Sequence, residues 1–578
     1  MMTDCQMEIR LKWFDVKNYD NPLSTWAEWN ELGWIPRQRT DLPRYRICSE
    51  MSWTVDPFTD PNWLLHFHAW RCLDPLICSA VRFPDNRDVI EELTHFLERW
   101  ANECGRYDPS RPSWLDMAAG LRALRIALLN TQPLFRKDRR RADLLNDLSY
   151  EHELALSDSE YLNPGNHGLF QINGLRALVW SRAKQRIGGN LRDYCVAALD
   201  RLMQGQFTEQ GVHKEHSPQY HFFSMARVRE IISSPWWARD ECDVRAQPVL
   251  ERAASVGNWL VDENWAYLPV GDSSRGQVPA SIKQLCEMTR GVNGLASGCV
   301  NYGAYSVIRE MRGDSSSKGS SILFCQGGRF STIHKHSDCL SVFWRENGVD
   351  ILADGGKYGY SRDSFRRYFK SQYAHNVIGS HEPLVSEGSP WLINRVGRRG
   401  AGWEVNSART LTQPKGLHKR YVLFKPAKCL VVVDEVHIED KQSRPHLFAN
   451  WLFGPKCQVD FMDESSGIAR IGLNNAKQLN ARFCANDEVD LICHHGEKNP
   501  NIRGWVSMSY KEATPTWNIR VEPQSPKSCN VFVGLFELRD RKVDSVSKVR
   551  FREGEIEIIG AAGRYFNGNG ERKAVIRL

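Results

Sequence analysis

The densest run of ionisable side chains in the chain is STIHKHSDCLSVFWRENGVDILADGGKYGY, residues 331–360. His334 and His336 are two positions apart, and two such side chains on a β-strand point to the same face. Asp354 follows on the next predicted strand, and His375 comes later in SQYAHNVIG. Imidazole and carboxylate groups in this pattern suit a zinc-type site better than a calcium site. The alternative is that the two histidines are only exposed or hydrogen-bonded on an edge strand.

A second polar group lies in NPGNHG, residues 163–168. Asn163, Asn166 and His167 stand there in a loop rich in Gly and Pro, ahead of a predicted helix. Loops held between rigid elements often carry functional side chains. The alternative interpretation is a helix cap, a role that Asn fills routinely.

A third group lies in VHKEHSPQYHFF, residues 212–223, which crowds Glu215, His216, Tyr220 and His221 around a proline. A tyrosine can act as an acid or a base where neighbouring cations lower its pKa. The alternative is an aromatic core helix that carries a few surface histidines.

A helical framework is predicted from about residue 60 to residue 270. Apolar residues recur on one helical face in the segments 89–100 and 114–128, and Ser113 is the expected N-cap of the second. Repeated amphipathic helices joined by loops predict paired helices around a common centre. Residues 1–60 are rich in Trp and Pro without a clean period, and they predict an irregular N-terminal segment.

The pattern changes near residues 270–320, where the Gly/Ser-rich stretches GDSSRG and MRGDSSSKGSS predict loops or a linker. Short runs rich in β-branched residues follow and predict strands. These runs are YVLF at 421–424, CLVVVDEV at 429–436, NVFVGLFEL at 530–538, KVRF at 548–551 and EIEIIG at 555–560. They favour a C-terminal antiparallel sandwich or a large rolled sheet. We therefore predict a multidomain α+β chain with an N-terminal segment at 1–60, a helical domain at 61–310 and a β domain at 311–578.

The charge and the missing motifs narrow the function classes. A formal net charge of +7 suits an anionic partner such as an acidic polysaccharide or nucleic acid, although a basic surface can also serve solubility alone. The sequence contains no dinucleotide-binding GxGxxG turn, P-loop, GxSxG elbow or HExxH pair. None of the nucleic-acid module signatures is present either, so no nucleic-acid partner is expected.

The cysteines and the N-terminus bear on location. The 16 cysteines are scattered without a CxxC pair, a pattern that favours buried free thiols in a reducing compartment. The first residues contain no apolar signal-peptide region, and no apolar run is long enough to span a bilayer. These features predict a soluble cytoplasmic protein.

The three motifs together resemble the heparinase II/III-type polysaccharide lyases, a group that includes related alginate lyases. The resemblance rests on NxxNHG, then EHSPxYH, then HxHxD, DxGxYxY and AHN in this order, over roughly residues 60–450. It implies an incomplete (α/α) toroid followed by an antiparallel β-sandwich, with the substrate cleft between the domains. It also implies β-elimination on a uronic-acid-containing polysaccharide, and a periplasmic or secreted location as the alternative to the cytoplasm.

The resemblance also implies roles for the reacting residues. Asn166 and His167 match the positions that neutralise the uronate carboxylate, so that the C5 proton becomes acidic enough to remove. Tyr220 matches the catalytic tyrosine, and His334 matches a catalytic histidine. His334 would be the base and Tyr220 the acid for one C5 epimer, whereas Tyr220 would do both for the other.

By the same resemblance, His336, Asp354 and His375 match zinc ligands, and the Zn²⁺ would be mainly structural and hold His334 in place. Glu215 and His216 would lie close to Tyr220 in the substrate-binding site and orient it. Arg366, Arg367 and Tyr368 would bind substrate, the arginines by forked hydrogen bonds to a carboxylate or sulfate. Two alternatives stay open: a non-catalytic polysaccharide-binding or assembly protein on the same fold, and a glycoside hydrolase, which would need a carboxylate pair across the cleft.

Overall fold

The structure, a computed structural model, describes residues 11–37, 39, 41–182, 189–237, 242–289, 297–312, 319–328, 330–360, 363–382, 384, 392–440, 444–473, 477–525, 527–540, 545–567, 569 and 571–578. Within these residues, helices dominate up to residue 288 and strands dominate from residue 298 onward. The α-helices are α1 Pro22–Leu32, α2 Pro61–His68, α3 Asp74–Arg82, α4 Arg87–Cys104, α5 Asp116–Asn130, α6 Pro133–Lys137, α7 Arg139–Leu156, α8 Asn166–Ser181, α9 Gly189–Gln206, α10 Pro218–Ile232, α11 Cys242–Gly257, α12 Ala280–Met288, α13 Ser364–Lys370 and α14 Ala561–Phe566.

Helix α4 follows the predicted amphipathic pattern. Its N-terminus is capped by the Asn86 side chain, which accepts a hydrogen bond from the main-chain N–H of Val89 at 3.3 Å. Leu93, Leu97 and Trp100 lie on its buried face. The apolar periodicity in the segment 89–100 therefore predicted this helix correctly.

The predicted helix cap at Ser113 is wrong. Ser113 lies in a 3₁₀ turn, Pro112–Trp114, and α5 begins two residues after that turn without a side-chain cap. The buried indole of Trp114 donates a hydrogen bond to the carbonyl of Cys104 at 2.9 Å, which fixes the turn against the end of α4.

Helices α5 and α8 approach each other closely. A Cβ atom at Gly120 would lie 2.5 Å from the carbonyl oxygen of Phe170, and one at Gly174 would lie 2.3 Å from the carbonyl oxygen of Gly120. Any larger residue would push the two backbones apart, so glycine is required at both positions. Because α8 begins at Asn166, this packing positions the NPGNHG motif.

The strands form five antiparallel sheets among the described residues. The sheet orders are β1-β2-β3-β4-β5, β12-β13-β14-β19-β10-β9-β8-β7, β15-β18-β11-β6, β16-β17 and β20-β21-β22. Their bounds are β1 Gly298–Asn301, β2 Tyr305–Arg312, β3 Gly319–Gln326, β4 Val342–Glu346, β5 Val349–Leu352, β6 Ile378–Ser380, β7 Leu392–Arg399, β8 Gly402–Thr412, β9 Lys415–Lys425, β10 Cys429–Ile438, β11 Leu447–Leu452, β12 Cys457–Asp463, β13 Ile468–Leu473, β14 Lys477–Ala485, β15 Val489–His495, β16 Trp505–Val506, β17 Thr514–Pro515, β18 Trp517–Pro523, β19 Cys529–Asp540, β20 Lys548–Arg552, β21 Glu555–Ile559 and β22 Lys573–Arg577. The strands predicted from β-branched runs all occur.

The eight-stranded sheet is buried on both faces at its centre. One face of β10 contributes Leu430 and Val432 to a large core shared with the five- and four-stranded sheets. The other face contributes Val431 and Val433 to a second core with β21, β22 and α14. Burial on both faces explains why the segment CLVVVDEV is almost continuously apolar.

The chain divides into two compact units. The first comprises Met1–Glu209 and Ser224–Arg252, and the second comprises Gln210–Phe223 and Ala253–Leu578. The EHSPQYH motif therefore belongs to the second unit, together with the sheets. The boundaries at 1–60, 61–310 and 311–578 stay a prediction, although α1 lies in the segment expected to be irregular and β1 begins before residue 311. Among the described residues, no helix is both long and apolar enough to cross a membrane.

The buried ion pair between Arg420 on β9 and Asp434 on β10 ties the second unit together. Arg420 donates to Asp434 at 2.7 Å and to the carbonyls of Leu340 and Asn376 at 2.6 and 2.7 Å. We expect Arg420→Met to lower the free energy of unfolding by about 3–5 kcal/mol, because it leaves a buried carboxylate without its main cation. Urea unfolding followed by circular dichroism measures this loss.

Lys425→Met is the matched control on the same strand. Lys425 is only partly buried and donates to the carbonyl of Ala401. Its substitution should change the free energy of unfolding by less than about 0.5 kcal/mol. Equal losses in the two variants would contradict the importance of the Arg420–Asp434 pair.

Candidate functional site

The candidate site of the second unit is built around the fully buried carboxylate of Asp272. One oxygen accepts a hydrogen bond from Nδ1 of His334 at 2.6 Å. The other accepts from Nε2 of His336 at 3.0 Å and from Arg366 at 2.6 Å. Burial opposes ionisation, but the hydrogen bonds from His334 and His336 and the positive charge of Arg366 hold the pKa of Asp272 well below its usual value.

Asp272 was not among the predicted site residues, because its segment GDSSRG predicts only a loop or linker. The loop is present, and its polar atoms form hydrogen bonds with the EHSPQYH motif. Ser217 donates to the carbonyl of Asp272 at 3.0 Å, and its hydroxyl also lies 2.8 Å from that of Ser273. These bonds tie GDSSRG to the EHSPQYH motif.

The prediction that His334 and His336 share one face of a strand is wrong. Residues 331–341 form turns and bends, and His334 has a left-handed backbone conformation with a φ of 56°. The physical reason is that both imidazoles reach the same carboxylate, one to each oxygen. A left-handed residue is costly for a histidine, and such strain is typical of functional sites.

The imidazole of His334 lies between two carboxylates and against a phenol ring. Its Nδ1 is bonded to Asp272, and its Nε2 lies 3.4 Å from a carboxylate oxygen of Glu215. Its ring stacks on Tyr220 with centroids 3.9 Å apart and an interplanar angle of 14°. Because the Asp272 carboxylate accepts a hydrogen bond from Nδ1 of His334, the neutral ring carries its proton on Nδ1. Nε2 is then the basic atom.

Tyr220 lies in the first turn of α10, which Pro218 begins. Its main-chain N–H donates to the Ser217 hydroxyl at 3.3 Å, and its own hydroxyl is hydrogen-bonded to that of Tyr360. Burial, and next the charge of Asp272, raises the pKa of Tyr220 above its usual value. The phenol is therefore protonated at neutral pH and can serve as a proton donor.

Lys357, in DGGKYGY, was not among the predicted site residues. It is 7% exposed, and its ammonium donates to the Tyr220 hydroxyl at 3.4 Å. Burial lowers the pKa of Lys357 to about 8. The position of this lysine between two predicted zinc ligands, Asp354 and His375, was the one feature of the sequence that pointed to it.

His336 and His375 face each other with ring centroids 5.4 Å apart, and both are deeply buried. The Nδ1 of His336 and the Nε2 of His375 have no hydrogen-bond partner among the described residues. Their other nitrogens are bonded to carboxylates, Asp272 for His336 and Asp354 for His375, the latter at 2.9 Å. The bond between His336 and Asp272 is of the kind by which an outer carboxylate commonly holds a metal-binding imidazole.

Asp354 itself accepts main-chain hydrogen bonds from Gly271 at 3.0 Å and from Gly356 at 3.2 Å. Within the described part of the chain, no three His, Cys, Asp or Glu side chains already form a complete metal-binding group. The three predicted ligands are nevertheless neighbours, and the two orphaned imidazole nitrogens fit the donor set that zinc prefers.

The other predicted site residues of the second unit, His216, Arg367 and Tyr368, lie in three different surroundings. His216 accepts hydrogen bonds from the main-chain N–H groups of Phe330 and Ser331 at 2.9 and 3.2 Å, just before His334 in the chain. Arg367 is exposed on α13, unlike its buried neighbour Arg366. Tyr368 packs in a separate apolar cluster, and its hydroxyl is bonded to the main chain of Trp505 at 3.1 Å.

Asn166 and His167 belong to the first unit, where they begin helix α8. The Nδ1 of His167 lies 2.9 Å from Asp116, which also accepts from Asn163 at 2.7 Å. Burial opposes ionisation of Asp116, but these bonds and the charge of His167 lower its pKa. Asn166 is buried, whereas the His167 side chain is 39% exposed.

Comparisons with known proteins agree with the resemblance. Residues 300–532 match the family model described as Heparinase II/III-like, C-terminal. A structure of heparinase III has a TM-score of 0.74 at 16% identity, covering 98% of this chain and 92% of that one. The heparan sulfate lyase HepC from Pedobacter heparinus has a TM-score of 0.63 at 15% identity, covering 98% and 90%. No curated protein matches the sequence.

Identities this low are evidence of fold, and the structural matches extend over both the helical part and the sheets. The predicted fold class and family resemblance are thus confirmed. Residues 300–532 match the model of a heparinase II/III-like C-terminal domain, and the chain has the fold of the heparinase III structure, an incomplete (α/α) toroid followed by an antiparallel β-sandwich.

Proposed function

We propose that the protein is a polysaccharide lyase that cleaves a uronic-acid-containing polysaccharide by β-elimination. The observation that carries the proposal is the pairing of His334 with Tyr220. The basic nitrogen of His334 is set by Asp272, and its ring stacks on a phenol that is kept protonated. A base beside an acid is what elimination across C5 and O4 requires. The heparinase III fold and the family match support the same reaction class.

In the proposed reaction, Nε2 of His334 takes the proton from C5 of the uronate. The electron pair of that C–H bond forms the C4–C5 double bond as the C4–O4 bond breaks. O4 leaves with its electron pair and takes the proton of the Tyr220 hydroxyl. Solvent then removes the proton from His334 and returns one to Tyr220. The polymer ends in an unsaturated uronate and a new hydroxyl group.

The C5 proton becomes acidic only if the negative charge on the adjacent carboxylate is neutralised. We assign this task to Asn166 and His167, as the family resemblance implies. Arg366 is engaged with Asp272, so its proposed contribution is to hold that carboxylate in place rather than to bind substrate. Arg367 keeps its proposed role as a binding group for an anionic substituent.

We further propose that His336, Asp354 and His375 hold a zinc ion. The ion would be mainly structural, since it would fix the segment that carries His334. The support is the pair of buried imidazole nitrogens without hydrogen-bond partners among the described residues. The proton transfers to and from the substrate are made by side chains of the protein.

Activity on uronate polymers tests the proposal. Heparan sulfate, hyaluronate, alginate and bacterial capsular polymers are each incubated with the protein, and the ultraviolet absorbance of the unsaturated product is followed. We expect turnover of at least one of them, and a fall in kcat of about 10²- to 10⁴-fold in Tyr220→Phe and in His334→Ala, because each loses a proton-transfer group. His437→Ala, at an exposed position on β10, is the control and should keep full activity.

Other outcomes favour other functions. Tight binding of a polymer without any product, unchanged in Tyr220→Phe, would favour a binding or assembly protein. New reducing ends without ultraviolet absorbance would indicate hydrolysis. Either result would contradict the lyase proposal.

Metal analysis tests the zinc site. We expect about one zinc ion per chain in the purified protein and its loss in His336→Ala and in His375→Ala, because each removes one imidazole ligand. The midpoint of thermal unfolding should fall in both variants and in protein treated with a chelator. His437→Ala should retain the metal. Zinc-free protein whose unfolding midpoint does not respond to added zinc would contradict the assignment.

A further inference from the structure

Lys357 is a buried lysine that forms no ion pair with any carboxylate among the described residues. Its hydrogen bond goes to the Tyr220 hydroxyl at 3.4 Å, and its ammonium lies 5.0 Å from the centre of the Tyr220 ring and 4.6 Å from that of Tyr360. Burying an ammonium without a carboxylate partner costs free energy. A lysine kept in this position therefore points to a function.

The charged groups around Tyr220 make a cation necessary for the proposed reaction. Asp272 and Glu215 both disfavour a negative charge on the phenol. Arg366 favours it, but its guanidinium is hydrogen-bonded to Asp272 at 2.6 Å. The stacked ring of His334 and the hydroxyl of Tyr360 complete the surroundings. Lys357 is thus the one cation among the described residues that is hydrogen-bonded to the phenol oxygen.

We propose that Lys357 stabilises the phenolate that Tyr220 becomes when it gives its proton to the leaving oxygen, a role that rests on the proposed lyase reaction. As the C4–O4 bond breaks, O4 keeps the bonding electron pair and accepts the proton. The Tyr220 oxygen keeps the electron pair of its former O–H bond, and its negative charge faces the ammonium of Lys357 and the hydroxyl of Tyr360. A proton from solvent then restores the phenol.

The low pKa of Lys357, about 8, agrees with this role. The side chain of Lys357 is charged at neutral pH, when the phenolate forms. Its charge is lost as the pH rises above about 8. Activity should therefore decline above about pH 8 through the loss of this charge. An arginine at position 357 should move that decline to higher pH, because its guanidinium stays charged.

The first test measures the steady-state kinetics of variants at position 357 on a polymer that the protein cleaves. We expect Lys357→Met to lower kcat about 100-fold, comparable to the loss of one oxyanion donor, while KM changes little. Lys357→Arg should recover part of kcat. Lys425→Met, which also removes a lysine with one hydrogen bond to oxygen, should leave both constants unchanged. An increase in KM alone would overturn the proposal, since it would make Lys357 a substrate-binding group.

A second test needs no turnover. Difluorotyrosine, whose phenol is more acidic, replaces Tyr220, and its ionisation is followed by absorbance in the folded protein. We expect the acid dissociation constant of this phenol to fall about tenfold in Lys357→Met and to recover in Lys357→Arg. Lys357→Gln serves as the second neutral variant should Lys357→Met fail to fold.

The two tests separate the possible failures. Phenol acidity that is the same with Lys, Arg and a neutral residue at position 357 overturns the proposal, whatever the activity. Phenol acidity that follows the charge at position 357, in a protein that cleaves no uronate polymer, supports the coupling of Lys357 to Tyr220 and contradicts the proposed function instead.

Discussion

The buried carboxylate of Asp272 is the constraint on which the candidate site depends. It receives His334, His336 and Arg366 from two separate segments, and all three bonds lie between 2.6 and 3.0 Å. A buried carboxylate of this kind must be fully paired, since an unpaired charge in the interior is costly. Asp272 therefore fixes the positions of its partners at the same time as they keep it ionised.

This constraint explains how two histidines only two positions apart in sequence can have different surroundings, as their different proposed roles require. The left-handed backbone at His334 lets the two imidazoles approach the two oxygens of one carboxylate. The ring of His334 stacks on that of Tyr220, whereas the ring of His336 lies beside that of His375, with centroids 5.4 Å apart. A regular strand would not separate them in this way. The strain at His334 is thus linked to the separate positions of the two imidazoles, on which the proposed roles in proton transfer and metal binding rest.

Much of the fold could be predicted from the sequence, because helices and strands depend on local periodicity. The amphipathic face of α4 and the apolar runs of β10 and β19 are examples. The chemical motifs could also be found, because their residues stand close together in the chain. His336, Asp354 and His375 are neighbours in the structure, as the resemblance implied. Their role, and those of the predicted catalytic residues, stay predictions.

Long-range contacts could not be predicted in the same way. Asp272 is 62 residues from His334 and 94 residues from Arg366 in sequence, and its Gly/Ser-rich neighbours indicated only a loop. Lys357 is 137 residues from the tyrosine to which it bonds. The exposure of Arg367 and the burial of Tyr368 depend on how α13 packs, which the motif does not reveal. The groups proposed to react were therefore easier to predict from the sequence than the groups that position them.

Through its hydrogen bond to Nδ1, Asp272 is expected to make Nε2 of His334 the basic atom beside Tyr220. The most direct measurement is the nitrogen–proton correlation spectrum of the imidazoles in protein labelled with ¹⁵N-histidine, with His334 assigned through its absence in His334→Gln. We predict that the neutral ring of His334 carries its proton on Nδ1, and that Asp272→Asn abolishes this preference. A neutral His334 with its proton on Nε2 in the unmodified protein would contradict this role of Asp272.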